Sequence, residues 1–374
     1  MTAALLSPFE LRSVRCDNRI VVSPMCQYSA EDGSASDWHL MHLGKFAISG
    51  AGLVIIEATH VEPIGRITHG CLGLYSDANE AALARVVAFC KRYGTARIGM
   101  QVSHSGRKGS ARLPWEGRGA PLKPEEGAWE TISASAIPFD TAWPAPRALD
   151  AAGLAAARDA HVDTVRRALR VGIDVIEAHI AHGYLLHSFL SPLANVRTDA
   201  WGGSLANRMR FPLEVFAAIR AAWPDDKPMG VRLSATDCME GGWTLAETLV
   251  FAQELKRLGC DYITASTGGL SPRQKIPLGE GHQVEFADAI RRATGMPTMA
   301  VSMIYDPHHA NRIIAEAQCD FVALARGMLT DPHWAWHAAA ALDGEVRFPP
   351  QYIRAYKARW LREKRAGRSA ATDD

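Results

Sequence analysis

The sequence predicts an α/β protein built as a single (β/α)8 TIM barrel. Short apolar runs alternate with helical patterns eight times, and no break in composition divides the 374 residues into two domains. Several of the apolar runs also end in polar clusters, as strands do at the rim where a barrel carries its site. A doubly wound open sheet is the competing arrangement. No GxGxxG follows the first strand, however, and such a sheet needs that turn to hold a dinucleotide.

The elements follow in order. Residues 5–15 read as a short capping segment, and 19–23 as the first strand, ending at Pro24-Met25-Cys26-Gln27-Tyr28. Asp37 is placed to cap a helix over 38–49. Residues 53–59 form a continuous apolar run, as expected of a strand buried on both faces. A helical pattern over 77–93 precedes a strand at 97–102. Residues 109–148 are rich in Pro, Gly and Trp without a sustained period, and a loop of that length in a compact domain is usually a functional excursion. The alternation resumes with a helix at 152–171 and a strand at 173–179. It continues with a helix at 205–222, a strand at 228–234, a helix at 245–258 and a strand at 262–266. A helix at 284–294, a strand at 298–302, a helix at 307–316, a strand at 321–325 and a helix at 332–342 complete the count. The barrel is expected to occupy 1–348, with 349–374 as a C-terminal extension.

Composition narrows the function classes. Forty-one Lys and Arg against forty Asp and Glu leave no charge excess that would pull toward nucleic acid or an anionic membrane. Residues 1–9 lack the basic start and long apolar run of a signal peptide, and no apolar stretch is long enough for a transmembrane helix. The seven cysteines are scattered, odd in number and without a CxxC pair. That spacing disfavours a disulfide framework, a zinc site or an iron–sulfur cluster, and the simplest compartment is a reducing cytoplasm.

In a barrel, strand ends converge however distant they are in sequence. They would gather Cys26 and Tyr28, Ala58, Gln101, then His179, His182 and Tyr184, then Arg232, and finally Ser302 with Arg326-Gly327. The last group matters because barrels often hold a phosphate in the loops after strands seven and eight. Arg232 in an apolar strand calls for an anionic partner, since an unpaired buried charge is costly. Other readings stand beside these. His179 and His182 could be structural, or could ligate a metal in a barrel hydrolase, which would need a third ligand such as Glu57 or Glu177. Cys26 alone could be an inert buried thiol. His104, Arg107 and Lys108 could be functional or anchor the long loop, and Trp115, Trp129 and Trp143 could cover the pocket or pack that loop. His308, His309 and His333 read as residues at helix starts.

Four segments carry a family resemblance: Ser-Pro-Met-Cys-Gln-Tyr (23–28), Gly-Met-Gln-Val-Ser-His-Ser-Gly-Arg-Lys (99–108), His-Ile-Ala-His-Gly-Tyr-Leu (179–185) and Arg-Thr-Asp-Ala-Trp-Gly-Gly-Ser-Leu-Ala-Asn-Arg (197–208). They resemble the old yellow enzyme family of FMN-dependent NAD(P)H oxidoreductases, and the likeness runs from about 5 to 342. Cys26 and Tyr28 place it with the thermophilic-like subclass, and Trp38-His39 with the segments around Trp115 and Trp129 are similar to its xenobiotic-reductase branch. The resemblance implies FMN held by Pro24, Met25, Cys26, Ala58, Gln101, Arg232, Ser302, Arg326 and Gly327. It implies NADPH or NADH as hydride donor and enones, maleimides or nitroalkenes as acceptors in a ping-pong cycle. His179 and His182 would grip the acceptor oxygen, Tyr184 would protonate its α-carbon, Tyr28 would line the substrate pocket, and Cys26 would tune the flavin. A homodimer or a dimer-based homo-oligomer is implied, in which Arg354, Arg359 or Trp360 reaches a neighbouring site. Ser302 and Ala325 depart from the family, which often has glycines there.

Overall fold

The computed structural model describes residues 3–356. Eight parallel strands close a barrel: β1 (Ile20–Val22), β2 (Leu53–His60), β3 (Arg97–Ser103), β4 (Val175–Ile180), β5 (Met229–Ser234), β6 (Tyr262–Ser266), β7 (Thr298–Ala300) and β8 (Phe321–Leu324). Each pairs with its neighbours in sequence, and β8 returns to β1 through Val322 opposite Ile20. The predicted barrel is therefore the observed one.

Eight helices follow the strands: α1 (Asp37–Ala47), α2 (Asp77–Tyr93), α3 (Ala151–Val171), α4 (Leu205–Ala222), α5 (Leu245–Arg257), α6 (Val284–Thr294), α7 (Pro307–Ala315) and α8 (Trp334–Ala341). Their starts follow from capping chemistry. Side chains of Ser76, Asp150, Ser204 and Asp306 accept orphan amides of α2, α3, α4 and α7. The expected cap of α1 needs correction. Asp37 is the first helical residue and Ser36 is the cap, because His39 one turn on accepts the Ser36 amide at 3.0 Å.

Two apolar layers hold the barrel. Inside it, Val21, Leu53, Ile55, Val175, Tyr262, Met299 and Phe321 pack together; between strands and helices, Val22, Val54, Ile56, Met100 and Ile176 meet the helix faces. The segment expected only to cap is a hairpin, Phe9–Leu11 with Val14–Cys16, and its Leu11, Val14 and Cys16 plug the interior layer. Phe9 stands edge-on to Phe321 at 5.0 Å.

Three further boundaries differ from expectation. The strand read as 298–302 stops at Ala300, since Ser302 and Met303 turn with φ of 124° and 46°. The helix read as 332–342 is α8 alone, preceded by a separate turn of helix at Arg326–Thr330. A short helix, Leu185–Leu190, follows β4 directly and has no counterpart in the sequence reading. Among the described residues, the C-terminal segment forms one turn at Pro350–Tyr352 and another at Ile353–Tyr356. No helix among the described residues is long and apolar enough to cross a membrane.

Candidate active site

Strand register brings the candidates together at the carboxyl end of the barrel. Ala58 lies opposite Gln101 and Gln101 opposite Glu177, while His179 lies opposite Arg232 and Arg232 opposite Thr264. A bulge in β2 between Ile56 and Ala58 leaves Glu57 unpaired in the ladder, and such an insertion re-aims a side chain. Glu57 turns toward α1, where it accepts the Gln27 amide at 3.1 Å and meets the His39 ring at 3.3 Å.

After β4 the backbone turns through His182 (φ 59°) and Gly183 (φ 73°), a left-handed pair that non-glycine residues rarely adopt. The turn is held from every side. The His182 amide donates to Ser234 Oγ at 3.0 Å, its carbonyl accepts Lys108 Nζ at 2.9 Å, and the Gly183 amide donates to His187 Nδ1 at 2.8 Å. A Cβ on Gly269 would lie 2.3 Å from His182 Cα, so only glycine lets the loop after β6 approach this closely.

The three side chains of the turn sit together. His179 and His182 rings are 5.0 Å apart between centroids, and His179 and Tyr184 rings 4.7 Å apart. His179 Nε2 lies 3.1 Å from His182 Nδ1, and His182 Nε2 lies 2.8 Å from Ser266 Oγ. Burial, reinforced by the Arg232 charge, pushes both imidazoles well below their ordinary range, so both are neutral near pH 7. Burial likewise pushes the Tyr184 phenol well above its ordinary value, with Arg232 pulling weakly the other way. Tyr184 thus keeps its proton over the whole physiological range.

Gln101 donates to the fully buried Glu177 at 2.8 Å, and Thr264 donates to the same carboxylate at 2.6 Å. Burial raises the Glu177 carboxyl, against the pull of Arg232, Thr264 and Gln101. Arg232 Nε is buried without a hydrogen-bond partner. The guanidinium faces a cavity of about 270 Å³ that runs past Ser23, Ser266, His282 and Ser302 to Arg326 and Gly327. Neither Arg232 nor Arg326 is ion-paired among the described residues, so the cavity is cationic and suits an anion.

On the other flank stand Cys26 and Tyr28. Burial, with Glu57 beside it, pushes the Cys26 thiol well above its ordinary value, so it is a thiol and not a thiolate. Tyr28 adopts φ 52° and meets Trp115 edge-to-face at 5.9 Å. Pro24 and Met25 lie between them and β1, both half-buried.

The residues left open in the sequence now divide. Lys108 belongs to the site's frame: besides His182 it donates to the Gly269 carbonyl at 2.8 Å and lies 5.3 Å from the Tyr184 ring. Burial, with Arg107 adding repulsion, lowers its pKa to about 7. Arg107 holds the long loop through the Ile137 and Pro138 carbonyls, and His104 pairs with Glu62 at 3.0 Å. Trp115 faces Tyr28, whereas Trp129 donates to the Ile64 carbonyl and Trp143 packs on Phe139. His308 and His309 start α7 under the Asp306 cap, and His333 stacks on Trp336 at 4.0 Å. Arg354 is exposed, while Arg359 and Trp360 lie outside the described residues.

Sequence reasoning missed four parts of the frame. Ser234 and Ser266 are the last residues of β5 and β6, and nothing in the sequence sets them apart from the other small polar residues at strand ends. His187 and Asp237 form a fully buried pair at 3.2 Å behind the turn. Burial alone would raise Asp237, but His187, Ser191 and the Trp243 amide outweigh it and hold it low. The one signal for His187 was a titratable residue inside the apolar run 185–190.

Residues 4–345 match the sequence pattern of the NADH:flavin oxidoreductase / NADH oxidase family. The chain is 39% identical over 359 residues to an NADPH dehydrogenase of Geobacillus thermodenitrificans, covering 96% of this chain and all of that protein. It is 39% identical over 355 residues to an NADPH dehydrogenase of Listeria innocua, covering 94% and 99% of the two chains. Among solved structures it resembles morphinone reductase in complex with tetrahydroNAD, with a TM-score of 0.76, 25% identity and 93% of each chain covered.

Proposed function

Because this chain belongs to the NADH:flavin oxidoreductase / NADH oxidase family, we propose that it is an ene-reductase, reducing activated C=C bonds of enones, maleimides or nitroalkenes. At the coarser level it is an NAD(P)H-dependent oxidoreductase with FMN as its cofactor. When bound, FMN accepts hydride from NADPH or NADH and delivers it to the acceptor.

The residues present fit that cofactor. The orphaned Arg232 Nε calls for an acceptor deep in the barrel, and Arg326 lines the far end of the same cavity. A Cβ on Gly327 would meet Tyr305 at 3.6 Å, an ordinary contact, so the backbone where Gly327 lines the cavity is not crowded. We assign the phosphate to Ser302, Arg326 and Gly327 and the ring to Pro24, Met25, Cys26, Ala58, Gln101 and Arg232. A fixed cation at Arg232 stabilises negative charge gathering on its side of the ring, and Glu177 keeps Gln101 oriented. Cys26, as a neutral thiol, tunes the environment of the ring and does not attack the substrate.

The single observation that carries the reading is the convergence of two neutral imidazoles and a protonated phenol on one turn beside the cationic cavity. His179 and His182 donate to the acceptor's carbonyl or nitro oxygen and draw electrons from the conjugated bond. Tyr184 Oη gives its proton to the α-carbon, and Tyr28 walls the pocket. Nicotinamide and acceptor use this pocket in turn, which makes the cycle ping-pong. The metal-hydrolase alternative gains no support: among the described residues no three His, Cys, Asp or Glu converge as a ligand set. Assembly as a homodimer or a dimer-based homo-oligomer belongs to the same reading, and light scattering on purified protein decides it.

The deciding experiment uses purified full-length protein. It should be yellow, absorbing near roughly 450 nm, and should consume NADPH under anaerobic conditions when given cyclohexenone, N-ethylmaleimide or a nitroalkene. An isolated, unactivated alkene should not be reduced. A colourless protein, or NADPH consumption indifferent to the enone, would overturn the proposal.

A further inference from the structure

The neutral histidines pose a question of proton placement. His179 Nδ1 accepts the Ala181 amide at 3.2 Å, so its single proton is on Nε2. That Nε2–H faces His182 Nδ1 across 3.1 Å, a gap in which two N–H groups would collide. With no ligand between them, His182 Nδ1 therefore accepts, its proton is on Nε2, and Nε2–H donates to Ser266 Oγ at 2.8 Å. The chain of donors runs one way, from Ala181 through His179 and His182 to Ser266.

An acceptor oxygen entering between the rings changes the requirement. His179 Nε2–H already points at it. A second donor exists only if His182 carries its proton on Nδ1, and then Nε2 needs a donor in its turn. Rotation of the ring cannot supply this cheaply, because a half-turn about Cβ–Cγ would put ring carbons where Nδ1 and Nε2 now face His179 and Ser266. Ser266 is itself fixed: it is 3% exposed at the end of β6, and its carbonyl accepts the Ala235 amide at 2.8 Å. A hydroxyl, unlike a carbonyl or an amide, either accepts or donates after a simple rotation.

We propose that Ser266 is the positioning residue that sets the tautomer of His182: it accepts from Nε2–H in the empty site and donates to Nε2 when an acceptor oxygen is bound. The imidazole stays neutral throughout. The proton leaving Nε2 is matched by one arriving at Nδ1, exchanged through water as the ligand enters. The site thus switches from a closed donor chain to a two-donor grip without moving a backbone atom. This rests on the assignment of His179 and His182 as the groups that hold the acceptor oxygen.

The test uses the FMN-loaded full-length enzyme and 4-hydroxybenzaldehyde, a phenol whose oxygen stands in for the developing enolate. In nitrogen-15 spectra of histidine-labelled enzyme, His182 should carry its proton on Nε2 in the free state and on Nδ1 in the complex. Ser266→Ala should weaken phenol binding, read by visible-absorption titration, by about ten-fold or more, the scale of a hydrogen bond to a charged acceptor. Ser266→Thr, which keeps the hydroxyl, should stay within about two-fold of the parent enzyme. An unchanged phenol affinity in Ser266→Ala, or Nε2 protonation persisting in the parent complex, overturns the proposal. If Ser266→Ala does not fold, the spectra of the parent enzyme decide alone. His179→Ala separates the two levels: should it leave phenol binding intact, the histidine grip itself fails, and not merely the tautomer switch.

Discussion

At the scale of single residues, what decides chemistry here is environment more than identity. Tyr184 and Tyr28 are both phenols, yet only Tyr184 shares a turn with the two histidines, and burial keeps its proton in place. Tyr184→Phe should therefore slow reoxidation of the reduced enzyme by an enone by roughly 10²–10⁴-fold, the usual worth of a positioned acid. Reduction by NADPH should change little, and stopped-flow absorbance separates the two half-reactions. Equal slowing of both would remove Tyr184 from the proton-donor role. The sequence showed His179, His182, Tyr184 and Arg232 because such residues are conspicuous at strand ends. It did not show Ser266, His187 or Asp237, whose meaning depends on a neighbour 84, 4 or 46 positions away.

Elements were legible to the extent that their signals are local. The helices read at 77–93, 205–222 and 284–294 match α2, α4 and α6, and the continuous apolar run 53–59 falls one residue short of β2. The hairpin Phe9–Leu11 with Val14–Cys16 escaped because three-residue strands carry almost no period and owe their form to the barrel they plug. The Ser36 cap escaped because its partner is a histidine instead of the Glu or Gln of the usual box. The plug gives an element-scale prediction. Leu11 is 3% exposed among Val14, Phe321 and their neighbours, so Leu11→Ala should cost about 2–5 kcal/mol. Urea denaturation should show it, while flavin content stays at the parent level, because the plug lies at the opposite end of the barrel from the site. A loss below about 0.5 kcal/mol would mean that the hairpin merely rests on the barrel.

Across the whole molecule, buried histidines tie stability to pH. Burial lowers His42 to about 4, with Lys45 contributing, and lowers His60 to about 3, with His104 and Arg66 contributing. His161 falls to about 4 through burial, despite its bond to the Ala157 carbonyl. Each folded pKa lies below the unfolded value of about 6.5, so between them the unfolded chain binds protons that the folded chain refuses. The stabilisation is complete above about pH 6.5 and is lost as pH falls toward 3. The urea midpoint should fall between pH 7 and 4.5, and His60→Gln should flatten that dependence; an unaltered slope in the variant would assign the acid sensitivity elsewhere.

The ring of eight strands has one more consequence, for behaviour in a crowded solution. Every barrel strand is bonded on both sides, so the barrel has no bare backbone border on which another chain could continue the ladder. Strand-by-strand templating on the barrel must begin by breaking the ring. On the barrel, partners are left to meet side chains on helices and loops, surfaces whose charge and shape can change freely while the hydrogen-bonded interior stays as it is.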